Sequence, residues 1–271
     1  MEKLHFLTAG IPSCAKDYKN AFEKLEEMEL DGLEVEFVHG VRYSEATREA
    51  ILNRKNALIT HHGPYYINLN AKEEDKIEAS IKRVLDTARA AKDLGAYSIT
   101  YHAAFYLGET SEVVSKKMIE RHQKIIEVLQ EEDNDIFIRP ETTGKRSQWG
   151  TLEEIIELSK NFSQVLPCID FAHIHARENG KFNTYDEFCQ ILETLGNGLG
   201  QRALENFHGH VAGIDYNDKG EKKHLIFEES DFNYKDFLKA MKSFNVKGAL
   251  VCESPNIEID TKILKDYYLS L

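Results

Sequence analysis

The chain has 271 residues, 42% apolar and 30% charged, with 34 basic against 46 acidic side chains and a formal net charge of −12. That is apolar material for a sizeable core, with no apolar run long enough to span a bilayer. The acidic balance counts against a general nucleic-acid binder, unless the acids lie away from the binding face or are neutralised by bound metal.

The opening, MEKLHFLTAGIP, is too short and too polar for a secretory signal, so a cytoplasmic protein is expected. Cys14, Cys168, Cys189 and Cys252 form no CxxC pair, so neither a disulfide framework nor a cysteine zinc site is expected. No linker or low-complexity tract divides the chain, and residues 1–271 are read as a single domain.

Taken in chain order, the strand candidates are LHFLT, LEVEF, ALITH, YSITYH, DIFIRPE, QVLPCID, FHGHVAGI and GALVCE, rich in Val, Ile, Tyr and Phe. Between them lie amphipathic segments. EEDKIEASIKRVLDTARAAKDLG carries apolar residues at Ile77, Ile81, Val84, Leu85 and Ala88, and Gly95 is placed to stop it. SEVVSKKMIERHQKIIEVLQ, TLEEIIELSKN, TYDEFCQILETLG and YKDFLKAMKSF are the others, with Thr151 and Glu154 spaced as a capping box. Eight strands alternating with helices predict a (β/α)8 TIM barrel. The doubly wound alternative usually shows a glycine-rich phosphate loop after an early strand, and none is visible.

Barrel active sites collect where the strands end. Those ends read His62, His102, Glu141, Asp170, His210 or its rival His208, and Glu253, one ligand-type residue for each of six consecutive units. A lone strand-end His is ordinarily a hydrogen-bonded structural residue and a lone Glu is ordinarily solvated. Glu34, Glu36, His5, His39 and His122 are assigned to that ordinary class. Six in phase are different, because buried carboxylates this close are costly unless cations neutralise them. His, Asp and Glu without Cys suit Zn²⁺, Mn²⁺ or Fe²⁺. His173, His175 and His224 lie just beyond the strands. One metal is saturated by about four protein ligands, so a cluster of two or three metals is expected, with Glu141 bridging.

These residues resemble the endonuclease IV family of metal-dependent apurinic/apyrimidinic DNA endonucleases, along nearly the whole chain. The segments that carry the resemblance are HHGPYYINL, CIDFAHIHA and ESPN. It implies a first metal on His62, His102 and Glu141, and a second on Glu141, Asp170, His210 and Glu253. It implies a third on His173 and His224 plus an acid. The family has Asp-x-His on that last loop; here GEKKH puts Lys222 at the Asp position, with Glu221 one residue away. His173 is expected from the turn after Asp170, and His175 as a supporting or unrelated residue.

The implied activity is hydrolysis of the phosphodiester 5′ to an abasic site, centred on Glu141, with Zn²⁺ as the expected metal. Duplex DNA bearing an abasic site is the implied partner, with no membrane, and a monomer is expected. Arg42 and Tyr65 lie where the family inserts residues into the DNA. Lys145 and Arg146, with Lys222 and Lys223, are the candidate phosphate contacts. The rival reading is a single-metal sugar isomerase or epimerase of the xylose-isomerase-like barrels, for which Glu141, Asp170, His210 and Glu253 suffice.

Overall fold

In the computed structural model, which describes residues 1–271, eight parallel strands curl into a barrel. They are Leu4–Ala9, Gly32–Glu36, Leu58–His62, Ser98–Tyr101, Phe137–Pro140, Ile169–Asp170, Phe207–Val211 and Gly248–Cys252. The eighth pairs with the first, Thr8 lying beside Cys252. Only the seam between the fifth and sixth strands lacks a continuous ladder. Bridges Ile138–Val165 and Glu141–Cys168 close it, and the Cys168 N–H donates to the Pro140 carbonyl at 3.0 Å. Pro167 has no N–H to offer there, which explains why only Ile169–Asp170 is regular strand. The expected (β/α)8 barrel is therefore the fold.

The strongly periodic helices form where the spacing predicts them, at Glu74–Leu94, Ser111–Glu131, Leu152–Ser159, Tyr185–Leu199 and Tyr234–Ser243. Gly95 ends the first of these in a left-handed conformation, and Thr151 with Glu154 makes the capping box. Helices Tyr18–Glu27, Glu45–Leu52, Phe171–Arg177, Gln201–Glu205 and Glu258–Ser270 are additional to the expected ones. The seventh predicted strand, FHGHVAGI, breaks at Ala212. Its end, Gly213–Asn217, pairs with Gly220–Leu225 in an antiparallel hairpin. His224 therefore sits on a strand, not on a loop as expected.

Most of the apolar core lies between the barrel and its sheath of helices. Inside the barrel, Leu7, Ala249 and Val251 form a small apolar floor. Beyond it the interior turns polar, with Glu34, Thr60, Thr100 and His208 all at 0% exposure. A barrel of this kind is normally filled by branched apolar residues, so polar filling at this depth points to a use.

Two of the five residues assigned to the ordinary class are packed histidines or surface groups of the expected kind. His122 is buried, with Nδ1 donating to the Met118 carbonyl and Nε2 meeting the Tyr101 hydroxyl, and burial pushes its pKa down to about 4. His39 stacks at the surface on Tyr66.

Arg177, at the end of helix Phe171–Arg177, pins the loop after the fifth strand. Its Nη1 donates to the carbonyls of Lys145 at 2.6 Å and Gln148 at 3.0 Å and to the Thr143 hydroxyl at 3.1 Å. Arg177→Met leaves those buried acceptors unpaired, at about 1–3 kcal/mol each before relaxation. The expected result is a melting temperature lower by roughly 10 °C, with new proteolytic cleavage in 142–150. An unchanged melting temperature would remove Arg177 from this role.

Candidate metal centre

The barrel register brings the strand ends together. Glu36 lies beside His62, and Asp170 beside His210, which is flanked on its other side by Val251. Strand alternation points both His208 and His210 inward, with Gly209 between them. Glu141, 1% exposed, stands at the centre. Its Oε2 is 3.2 Å from His62 Nε2. Its Oε1 is 3.2 Å from His102 Nε2, 3.1 Å from His173 Nδ1 and 3.6 Å from His210 Nδ1.

Three groups of donors share this centre: His62, His102 and Glu141; Glu141, Asp170, His210 and Glu253; and Asp170, His173 and His224. Their separations test whether cations fit. A charged imidazole–carboxylate hydrogen bond closes to about 2.7–2.9 Å. Two donors on one tetrahedral Zn²⁺ stand about 3.3–3.5 Å apart. Most of the Glu141 contacts, and the 3.3 Å from His210 Nδ1 to Glu253 Oε1, fall between those limits or at the second. Glu141 Oε1, Asp170 Oδ2 and His210 Nδ1 are buried without a hydrogen-bond partner. The donor set fits divalent cations.

Ring orientation agrees with this. His62 Nδ1 donates to the Gly63 carbonyl at 2.7 Å, which leaves Nε2 for the cluster. His173 Nδ1 faces the Thr142 carbonyl at 3.0 Å, which leaves Nε2 toward the hairpin.

The buried carboxylates and imidazoles of the centre strongly perturb one another. Burial alone would raise the Glu141 pKa, but His102 and His210 hold it well below the carboxylate range. Burial likewise opposes ionisation of Glu253, yet His210 brings it down to about 2. His62 is raised to about 10 against its own burial by Glu141 and Glu36. Glu36 is pushed up to about 8, by burial first and then by Glu34 and Glu253.

Several expectations need correction. His173 does come from the turn after Asp170, but that turn is the first of a helix, Phe171–Arg177, which is not among the expected elements. Asp170 is the N-cap of that helix, its Oδ1 accepting from the His173 N–H at 2.7 Å. This helix is seven residues long and buried on every side, so it has no amphipathic pattern to reveal it. His208 is turned away from the Glu141 centre. Its Nδ1 meets the Ser98 hydroxyl at 2.9 Å and its Nε2 lies 3.1 Å from Glu34.

Glu34 is not solvated, and Glu36 is only partly exposed. Glu34 is at 0% exposure between His208 and His210, and Glu36, nearer the mouth, brings its carboxylate close to those of Glu34 and Glu253. The alternation in LEVEF is the available signal. Leu33, Val35 and Phe37 pack outward, so both acids must face the lumen.

Lys222 is not a ligand. Tyr216 faces Glu221 and Asp215 faces Lys223, so Lys222 is the extra residue of a β-bulge. Its Nζ pairs with Asp215 at 2.6 Å. The bulge shifts the phase by one, so Glu221 and His224 share a face. Glu221 Oε2 lies 3.6 Å and His224 Nε2 3.5 Å from His173 Nε2. Gly144 leaves room for this, since a Cβ there would come within 2.7 Å of Glu221 Cβ and 3.0 Å of His173 Cδ2. His175 stays outside the cluster and anchors the hairpin. Its Nδ1 donates to the Lys181 carbonyl, and Asp231 links its Nε2 to the Tyr216 hydroxyl.

The other candidates lie around the mouth. Tyr65 is 60% exposed, its ring 5.8 Å from that of His62. Its N–H bonds the Val38 carbonyl, joining its loop to the one that carries exposed Arg42. Lys145 and Arg146 are exposed on the loop that bridges to Gly220 of the hairpin. Arg146 Nε already donates to the Arg177 carbonyl.

The chain is similar to an uncharacterised protein of Methanocaldococcus jannaschii, 39% identical over 99% of this chain and 98% of that one. A probable endonuclease 4 of Staphylococcus carnosus is 29% identical over 60% of this chain and 55% of its own length. Among solved structures, a D-tagatose 3-epimerase-like protein superposes with a TM-score of 0.74 at 22% identity, covering 97% of each chain. Endonuclease IV from Thermus thermophilus does so with 0.74 at 15%, covering 98% of this chain and 100% of that one. A profile described as the xylose isomerase-like TIM barrel matches residues 22–267. Barrel, strand-end centre and profile agree, and the chain belongs to the xylose isomerase-like TIM barrel family.

Proposed function

We propose that this protein is a divalent-metal-dependent endonuclease that hydrolyses the phosphodiester 5′ to an abasic site in duplex DNA. One observation carries the reading. Glu141 is met by imidazoles beyond the four-residue set that a one-metal barrel needs: His62, His102 and His173 all stand within 3.2 Å of its oxygens. Glu221 and His224 extend the same cluster outward.

Glu141 would join two cations, with His62 and His102 on one side and Asp170, His210 and Glu253 on the other. His173, His224 and Glu221 would hold a third. Bound, such cations lower the pKa of the attacking water, screen the phosphate oxygens and stabilise the departing 3′-oxygen.

The chain's own part is placement. An abasic nucleotide must leave the helix to reach a barrel mouth. Tyr65 stands at that mouth as an exposed ring able to fill the gap left in the stack. Arg42 lies on the adjoining loop, and Lys145 and Arg146 offer cations to the backbone on the opposite loop. With a chain charge of −12, binding has to rely on this rim, and its affinity should fall steeply with salt.

The rival has its own observation. Glu141, Asp170, His210 and Glu253 alone make a one-cation set, and an epimerase-like neighbour superposes equally well. The test is a duplex carrying one tetrahydrofuran abasic analogue, with the protein loaded with Zn²⁺ or Mn²⁺. A single nick 5′ to the analogue is expected, lost with chelator and restored by metal. No nick with Zn²⁺, Mn²⁺ or Fe²⁺, together with C3 epimerisation of a ketohexose, would replace this reading with the epimerase.

A further inference from the structure

We infer that Glu34 is a positioning residue for the metal centre: from inside the barrel it sets which nitrogen of His210 faces the cations. The inference rests on reading the Glu141 cluster as a metal site, but not on the substrate.

Glu34 and His210 are both at 0% exposure. Glu34 Oε1 lies 3.0 Å from His210 Nε2 and Oε2 lies 3.1 Å from His208 Nε2. The opposite nitrogen of His210, Nδ1, faces Glu253 Oε1 at 3.3 Å and Glu141 Oε1 at 3.6 Å. His210 thus has one nitrogen in the cation cluster and the other against a buried carboxylate. A metal-binding imidazole must present a lone pair, and its proton then stays on the far nitrogen. A fixed negative charge beside Nε2 holds that proton there and aims Nδ1 at the cluster.

The contacts of Glu34 with both rings lie off the hydrogen-bond axis, so its hold is that of a buried charge more than of a directed bond. His208 completes the support. Its Nδ1 meets the Ser98 hydroxyl at 2.9 Å, which fixes the ring that shares Glu34. Removing the carboxylate charge leaves the His210 Nε2–H without a counter-charge in a place water does not reach. Second partners of this kind change metal affinity by about 10–100-fold.

The first measurement uses the wild-type protein. Histidine ring nitrogens labelled with ¹⁵N should show, in the zinc-loaded protein, one imidazole protonated at Nε2 and metal-bound at Nδ1. That signal should vanish in His210→Gln. Protonation of His210 at Nδ1 would overturn the inference. The second measurement is zinc affinity by chelator competition, with metal content by mass spectrometry, in Glu34→Gln and Glu34→Asp. Glu34→Gln should weaken one site about 10–100-fold, and Glu34→Asp, which keeps the charge, should recover part of it. Equal affinity in wild type and Glu34→Gln overturns the inference. Should Glu34→Gln fail to fold, the wild-type spectrum decides alone. A protein that binds zinc as expected yet leaves abasic DNA intact would sink the endonuclease reading and leave the Glu34 result standing.

Discussion

Glu141→Gln is expected to lower abasic-site cleavage on the order of a thousand-fold or more, because the loss of cation stabilisation costs several kcal/mol of barrier. The amide is nearly isosteric, so the fold should survive. What goes is the shared charge. The Glu141 oxygens lie 3.2 Å from His62 Nε2 and from His102 Nε2, and a neutral amide can offer only one acceptor and no charge to cations held between them. Two readouts must move together: the nicking rate and the number of zinc ions retained per chain. Retention of full metal content with lost cleavage would limit Glu141 to the reacting centre. Retention of both would take it out of the mechanism.

The sequence shows how far periodicity and phase can go. Five helices with strong 3.6-residue patterns and eight β-rich runs are enough to define the barrel. Strand-end phase then picks out the carboxylate and imidazole that each unit delivers, from His62 to Glu253. What escapes is local geometry with no periodic trace. The short helix that carries His173 is buried all round. The hairpin bulge at Lys222 turns an apparent ligand mismatch into the placement of Glu221, and nothing in GEKKH announces it. Glu34 and Glu36 escape for a different reason. Their alternation with Leu33, Val35 and Phe37 is plain, but acids facing a barrel interior run against the expectation that acids are solvated. They fit because the interior here is polar: Glu34 has His208 and His210 as neighbours, and Glu36 lies beside His62.

Chelating the metals should make stability strongly dependent on pH, and the signs follow from the buried groups. In the metal-free protein His62 is raised to about 10, chiefly by Glu141 against its own burial, and His173 and His210 are raised in the same sense. Such groups bind protons more tightly folded than unfolded. Their contribution is full below the unfolded histidine pKa of about 6.5 and is lost as pH rises toward the folded values. Glu253, lowered to about 2 by His210, contributes above the ordinary glutamate range and loses that as pH falls. Burial pushes His122 and His208 down to about 4 and His61 to about 3, so each destabilises the fold as pH falls below about 6.5.

The chelated protein should therefore be most stable near neutral to slightly acid pH and weaken toward pH 9. Cations replace the protons on His62, His173 and His210, so their binding tightens over the same range. Ligand at a hundred to a thousand times its dissociation constant adds about 3–4 kcal/mol per site, or roughly 10 °C in a chain of this size. The gap in melting temperature between zinc-loaded and chelated protein should widen from pH 6 to pH 9, and Glu141→Gln should flatten it. A gap that stays constant or narrows over that range would mean that protons and cations do not compete for these imidazoles, and the shared-cation reading of the Glu141 cluster would fall with it.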